Sequence, residues 1–475
     1  MSILRAPSSS CAPGRLPPAV RGALLVTGPW AALFLPQPWS VLALCLLSLA
    51  ASGLLFRDPA ADRSVLITVA GFTICDLSPL SVDGSVVRLY QFSAVLVAVV
   101  LLRRRTEFVR GLRELNRMPL AVVGIIVGLT LITPLSLLWS ISPKDTLVAT
   151  VGQLSATGLL VLFAAAVRSG FLQSRQVLAA LWAMASLGSL WACVQFTLTV
   201  LTPLELASSG GSGVPWPRPA GFMTEAVWAA LVAATGFALA FVVRQDHPRL
   251  AAVSMTLHIA TLGLVGSRAA LLGIAAGLLV CGLFVWRRHA TPLRLIVAAA
   301  TVLVAGLVLA VAAPGVLARF DPRLVIGGQS GADGGSAQSR AVVYQLVADE
   351  LPSHLPLGAG AGSLNKLTTD PAVRDRYIDG GQLNSGRGST NFFLGYTFDF
   401  GYLGAVLAVT LTVLIGVLAL KAATIDAGLS AFLATMYLVD FQFNNGFRFG
   451  FVHVLLGVLA GGAYSSGANK DKRTS

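Results

Sequence analysis

The chain has 475 residues, 55% of them hydrophobic and only 12% charged, with a mean hydropathy of +0.77 and a formal net charge of +13. Water-soluble globular chains carry about 25% charged residues, so this balance excludes a water-facing exterior, and its hydrophobicity excludes a disordered chain. A pI near 10 would ordinarily suggest nucleic acid, but the positions of the positive charges give another reason for it.

Residues 1–21 carry Arg5, Arg15 and Arg21 and lack a compact apolar stretch ending in a small-residue cleavage site. They read as a cytoplasmic tail rather than a cleaved signal. Beyond them, apolar runs suited to crossing a hydrocarbon core of roughly 30 Å fall at 22–35, 39–56, 64–80, 87–102, 118–138, 146–167, 177–201, 221–243, 250–265, 269–286, 293–313, 392–420, 427–442 and 449–465. The first two, separated only by Pro36, Gln37 and Pro38, can also be read as a re-entrant hairpin. The expectation is an all-α, polytopic integral membrane protein of 12 to 14 transmembrane helices. It comprises an N-terminal bundle (22–313), a long loop (314–391), C-terminal helices (392–465) and a second cytoplasmic tail (466–475).

Charge orients this topology. With the N-terminus inside, the inner connections and tails receive 22 of the 34 Lys and Arg residues, for a net +15, and the remainder of the chain nets −2. An excess of Lys and Arg in cytoplasmic connections is the expected signature of orientation. The basic pI is therefore a topology signal and requires no nucleic-acid partner.

Going outward along the chain, Arg218 stands in VPWPRPAGFMTEAVWAA at the mouth of the span expected from residue 221, and Glu225 follows seven positions later. Arg268 lies in LVGSRAALLG, where two apolar segments meet across Gly266, Ser267 and Arg268. An arginine at membrane depth costs roughly 2.5 to 3.5 kcal/mol on insertion scales, so such a tight turn is a costly place for one without a partner. The long loop 314–391 is placed outside and is polar, with an amphipathic helix expected around 338–351 that opens with Arg340. It also carries Arg319, Arg323, Lys366, Arg374, Arg376 and Arg387, which asks for an anionic partner on a side where such charges are normally depleted. Loops of this length are uncommon unless functional or disordered.

Planar guanidinium groups offer paired donors matched to phosphate oxygens, and several together can hold a diphosphate without metal. Arg218, Arg268 and Arg340 are the candidates for that role, with snorkelling or pairing to Glu225, Asp349 or Glu350 as the ordinary alternative. Glu225 is a candidate general base if partly desolvated, or else a charge favoured at a helix N-terminus. Gly358, Gly360 and Gly362 in PLGAGAGSL resemble a phosphate cradle, but no strand precedes them, so a backbone turn is the competing reading. Cys11, Cys45, Cys75, Cys193 and Cys281 show no CxxC spacing, and the acids Asp370, Asp375 and Asp379 lack calcium-loop spacing. No metal and no cofactor is expected.

The order RPAGFMTEAVWAA, GSRAALLG, SRAVVYQLVADE, HLPLGAGAGSL and TNFFLGYTFDFGYLGAVL, with SLLWSISPKDTL upstream, resembles the O-antigen ligase and polymerase family of bacterial membrane glycosyltransferases. The resemblance spans roughly residues 120–420. It implies a helical membrane glycosyltransferase (GT-C-like) fold with one long outer loop. It also implies metal-independent, inverting transfer of saccharide from an undecaprenyl-diphosphate carrier to an acceptor sugar hydroxyl outside the bacterial cytoplasmic membrane. By motif position it places Arg218, Arg268 and Arg340 on the diphosphate.

One departure is informative. Ligases of the family have a His-Asn pair before the span after the loop, whereas this chain reads Ser389, Thr390, Asn391, and Glu225 stands where many ligases have Pro-Asn. That pattern favours the polymerase branch, with catalytic Glu225, Arg268 and Arg340, and with Asn391, Gly358 and Gly360 as loop residues near substrate. The expected partners are the carrier-linked oligosaccharide, an acceptor glycan, membrane lipid and a chain-length regulator. A ligase of finished glycan is the alternative within the family, and a flippase or transporter the alternative from another class, although no internal repeat supports the latter.

Overall fold

The computed structural model describes residues 59–75, 80–82, 85–87, 94–115, 117–202, 204, 206–207, 217–223, 225–289, 334–370, 391–421, 427–440 and 449–462. In chain order these form α1 (Pro59–Phe72), β1 (Leu80–Val82), β2 (Ser85–Val87), α2 (Ala94–Arg103), α3 (Arg105–Arg113), α4 (Arg117–Leu135), α5 (Pro143–Arg168), α6 (Ser174–Leu201), α7 (Ala226–Val243), α8 (Pro248–Val265), α9 (Arg268–His289), α10 (Gly334–His354), α11 (Leu364–Thr369), α12 (Phe392–Lys421), α13 (Ala427–Asp440) and α14 (Gly450–Gly462). The chain divides into two compact units, one of residues 1–69 and 90–104 and the other of residues 70–89 and 105–475.

In the smaller unit Val65, Leu66 and Val69 are fully buried, and the buried Asp62 accepts a hydrogen bond from Arg104 Nε at 2.8 Å. A charge-assisted bond of this kind offsets the cost of enclosing the carboxylate.

Among the described residues, six helical segments are long and apolar enough to cross a membrane: Leu120–Leu138, Pro143–Arg168, Ser174–Leu201, Ala226–Val243, Pro248–Val265 and Phe392–Val417. Ala269–Cys281 and Gly450–Gly462 are shorter apolar helices. These segments bear out the helical, multi-pass reading. The segments expected at 22–35, 39–56 and 293–313 lie outside the described residues.

Three boundaries differ from expectation. The span expected at 64–80 ends earlier, because α1 ends at Phe72 and β1 and β2 pair antiparallel with Val82 opposite Ser85. The sequence there, LSV-Asp83-Gly84-SVV, carries the Asp-Gly dipeptide that favours a two-residue hairpin connection, and it was too short to register against the apolar runs on either side. The span expected from 221 begins at Ala226, after an irregular stretch that contains Pro219 and Gly221. The loop helix, at Gly334–His354, is longer at both ends than the expected 338–351.

Small residues set the closest helix contacts. A Cβ built on Gly457 of α14 would lie 2.6 Å from the Leu160 carbonyl oxygen of α5, and one on Gly461 2.5 Å from that of Ala164. Gly273 and Gly277 of α9 approach the Met436 and Phe432 carbonyls of α13 in the same way, each at 2.9 Å. Both pairs have the four-residue spacing by which membrane helices bring their backbones together, where packing rather than hydrophobicity drives association.

A polar seam joins α6, α7 and α8. Trp182 Nε1 donates to Ser254 Oγ at 3.0 Å, and the fully buried His258 bonds Ser189 Oγ through Nδ1 at 2.9 Å and Ser186 Oγ through Nε2 at 3.3 Å. Gly236 of α7 leaves room for that ring, since a Cβ there would lie 2.5 Å from His258 Nε2. In an apolar medium these mutual bonds are the available way to satisfy each polar group.

Candidate functional site

Successive spans α4 to α9 alternate in direction, so the α4–α5 junction, the segment before α7 and the α8–α9 turn share one end of the bundle. The residues singled out from the sequence fall in two groups, one at the α8–α9 turn and one around the strap before α12.

The first support is the α8–α9 turn. Helix α8 starts with Pro248 at its first turn and stops at Val265, because Gly266 takes the left-handed conformation (φ 62°) and its amide bonds the Leu262 carbonyl at 2.9 Å. Glycine adopts this cap at little steric cost. Ser267 then accepts from the Leu271 amide at 3.1 Å, and α9 begins at Arg268.

Arg218 reaches this turn. Its Nε donates to the Val265 carbonyl oxygen at 2.8 Å, one of the last carbonyls of α8 that lack an intrahelical partner. A cation at a helix C-terminus is favoured by the backbone dipoles. Gln195 of α6 holds the neighbouring chain in place: its Oε1 accepts from the Gly221 amide at 2.8 Å and its Nε2 donates to the Gly221 carbonyl at 3.5 Å. The structure thus brings Arg218 to within three positions of Arg268, at the start of a 22-residue helix whose first amides form an anion-favouring terminus.

Glu225 occupies the N-cap of α7 in an extended conformation (φ −138°, ψ 145°) rather than the first helical turn, and its carbonyl accepts from Trp228 at 3.1 Å and Ala229 at 3.2 Å. Its side chain is half-buried and makes no capping hydrogen bond. It therefore stands seven residues from Arg218, on the chain that descends from that arginine into the bundle.

The second support is the strap at residues 358–363, which follows α10 and binds two helices at once. Ala359 and Gly360 amides donate to the Phe398 and Asp399 carbonyls of α12 at 2.8 and 3.0 Å, and the Gly362 amide donates to Asp399 Oδ2 at 3.1 Å. On the other side the Ile141 amide donates to the Ala359 carbonyl at 3.0 Å, the Ala361 amide to Ser136 Oγ at 3.1 Å and Thr146 Oγ1 to the Ala361 carbonyl at 2.7 Å.

Gly358, Gly360 and Gly362 all have positive φ (81°, 94° and 73°), as does Gly401 (62°), where α12 kinks. A Cβ on Gly358 would lie 2.5 Å from the Asp399, Phe400 and Gly401 backbone, and one on Gly360 2.5 Å from Ser140 Cβ. Every amide from Gly358 to Gly362 is bonded within the protein, that of Gly358 to the His354 carbonyl at 2.8 Å. The glycines make a close-packed turn, and these amides are not turned toward a phosphate.

Arg340 lies in α10, whose Val343 and Val347 pack with Ala359, Leu364 and Phe398 in one apolar cluster. That cluster carries the loop helix on the strap and on α12. Asn391 caps α12: its Oδ1 accepts from the Leu394 amide at 3.1 Å and its carbonyl from the Gly395 amide at 3.0 Å, the ordinary task of asparagine at a helix start.

The sequence reading did not single out Gln195, Ser136, Thr146 or Asp399. Ser136 and Thr146 belong to SLLWSISPKDTL and Asp399 to TNFFLGYTFDFG, both visible as motifs but without a residue-level signal. Two atoms beside the strap, Trp139 Nε1 and Asp399 Oδ1, are shielded from solvent and make no hydrogen bond among the described residues.

No curated protein matches the chain. The O-antigen ligase family model matches residues 250–409, which run from α8 through the Arg268 turn, the Arg340 helix and the glycine strap into α12. Over that segment the chain is similar to the O-antigen ligase family.

Proposed function

We propose that the chain polymerises polysaccharide repeat units at the outer face of the bacterial cytoplasmic membrane, taking saccharide from an undecaprenyl-diphosphate carrier. Glycan transfer at a membrane is the coarse activity that the family match supports. The observation that carries the finer reading is the convergence of Arg218 on the Val265–Arg268 turn at the start of α9.

In this mechanism the carrier's diphosphate docks at the α9 N-terminus against Arg268 and Arg218, with Arg340 brought in on the loop helix. The acceptor hydroxyl attacks the anomeric carbon of the donor sugar. A new glycosidic C–O bond forms as the C–O bond to the phosphate breaks, and the electron pair leaves on the undecaprenyl diphosphate. The hydroxyl proton passes to the Glu225 carboxylate. A single displacement inverts the anomeric centre. Three guanidinium groups and a helix terminus supply fixed positive charge opposite the negative charge that builds up on the leaving diphosphate, and donors of this kind each contribute about 10² to 10³ in rate. No step is routed through a metal.

A ligase that moves finished glycan to lipid or protein uses the same donor chemistry, and the name of the matched family favours it as the second reading. Extraction of lipid-linked saccharides and surface polymer from a deletion strain separates the readings. Single repeat units on the carrier support the polymerase, full-length lipid-linked chains support the ligase, and a unit trapped on the inner face supports a flippase.

A further inference from the structure

The arginine-rich face of α3 lies at the opposite end of the bundle from the candidate site, and nothing in the proposed reaction uses it. Helix α3 (RTEFVRGLR) turns Phe108 and Gly111 inward. Gly111 sits so close to the Ala165 carbonyl of α5 that a Cβ would overlap it, and Phe108 meets Phe171 with ring centroids 5.9 Å apart. Arg168 Nε, in the last residue of α5, donates to the Glu114 carbonyl just after α3 at 2.8 Å. Since Pro143–Arg168 is long and apolar enough to cross a membrane, its contacts hold α3 at the level where such a segment leaves the hydrocarbon. The polar headgroup layer begins at that level and extends roughly 6 Å further on each side of the bilayer.

The outward face of α3 holds Arg105, Thr106, Val109, Arg110 and Arg113, which with Glu114 just beyond it line a shallow groove of about 520 Å³. At 100° per residue, Arg105, Val109, Arg113, Thr106 and Arg110 follow one another around a single half of the helix, with the buried Phe108 and Gly111 on the other. Arg110 is partly committed: Nη2 donates to the Ser169 carbonyl at 3.3 Å, and Nε lies 3.9 Å from Glu114 Oε1. Arg105 and Arg113 are exposed and have no ion pair among the described residues. Two guanidinium groups on either side of an exposed valine, at headgroup depth, present forked donors for phosphate oxygens and an apolar strip for the first carbons below them.

We propose that the outward face of α3 binds the headgroups of anionic phospholipids, with Arg105 and Arg113 holding the phosphodiester and Val109 lying against the glycerol and upper acyl carbons. The charge complementarity and the depth of the helix point to a bilayer lipid, since an anionic membrane surface attracts basic residues held close to it.

The test uses the purified full-length protein in detergent and native mass spectrometry, which counts retained lipid after incubation with equal amounts of phosphatidylglycerol and phosphatidylcholine. The wild type should retain phosphatidylglycerol in preference, and Arg105→Gln/Arg113→Gln should retain at least twofold less of it with phosphatidylcholine occupancy unchanged. Arg105→Lys/Arg113→Lys, which keeps both charges, should fall between them and guards against a glutamine variant that fails to fold. Equal phosphatidylglycerol retention by wild type and both variants would overturn the proposal. So would displacement of the lipid by millimolar inorganic phosphate, which would mark a site for free anions.

Discussion

Arg218 Nε and the Val265 carbonyl oxygen stand 2.8 Å apart across 47 positions of sequence. That hydrogen bond fastens the segment before α7 to the end of α8 and puts one guanidinium beside the turn that leads into α9 at Arg268. Arg218→Ala should therefore remove a helix-end contact and, under the proposed mechanism, a diphosphate donor. The contact alone is worth about 1 to 3 kcal/mol of stability, whereas loss of a transition-state donor lowers the rate by about 10² to 10³. Arg218→Lys should recover protein abundance fully but polymer only in part, because an ammonium cannot present the paired fork. Abundance and polymer length measured on the same membranes read the two effects separately.

Glu225 gives a sharper separation. Glu225→Gln keeps the length and shape of the side chain at the α7 N-cap, and the unfolding midpoint of the purified protein, measured beside polymer, separates any loss of folding from loss of chemistry. Polymer should nevertheless disappear, since the amide accepts no proton. Unchanged polymer in Glu225→Gln would remove this residue from the mechanism without touching the arginine assignment.

The strap is a matter of stability first. Gly401 has φ 62°, and a Cβ there would overlap the Pro356 carbonyl; Gly358 meets the α12 backbone at 2.5 Å. Gly401→Ala and Gly358→Ala should each cost about 3 kcal/mol or more through left-handed strain and overpacking. Gly128 of α4 has nothing within 4 Å of its Cβ position, so Gly128→Ala should be neutral or stabilise by up to about 1 kcal/mol. Expression level and unfolding temperature in detergent test the contrast.

Asp399 ties the strap to α12 through Gly362. Asp399→Ala leaves that amide without its acceptor, at a cost of about 1 to 3 kcal/mol. Asp399→Asn keeps an acceptor oxygen and should lose less than half as much. Both are read by unfolding temperature, with accelerated proteolysis of the 355–370 segment as the local signature of a loosened strap.

Much of the bundle could be read from runs of apolar residues closed by proline, glycine or charge: the spans around 118–138, 177–201 and 250–265 fall within a few residues of α4, α6 and α8. Such runs report burial in lipid, and they say little where a segment is short or irregular. The hairpin of Leu80–Val87 was absorbed into its apolar neighbours for that reason, and Glu225 was read into a helix that starts one residue after it. At the site, the residue types pointed to phosphate and the glycines to a turn. The Arg218–Val265 bond, the Gln195 grip on Gly221 and the two-sided strap were not legible, because each joins positions far apart in sequence through backbone groups that every residue shares. His258 sat inside an apolar run with its serine partners on another helix, so its role as a packed, hydrogen-bonded core residue emerged only with the helices in place.

The decisive measurement is in vitro transfer by purified protein reconstituted in vesicles with a defined undecaprenyl-diphosphate oligosaccharide, comparing wild type with Arg268→Ala and Arg340→Ala at matched folded amounts. Elongated carrier-linked product from the wild type, with both variants slower by at least about 10² and only partly restored by lysine, is the outcome expected of a diphosphate held by these arginines. Wild-type rates and product lengths in both alanine variants would contradict it.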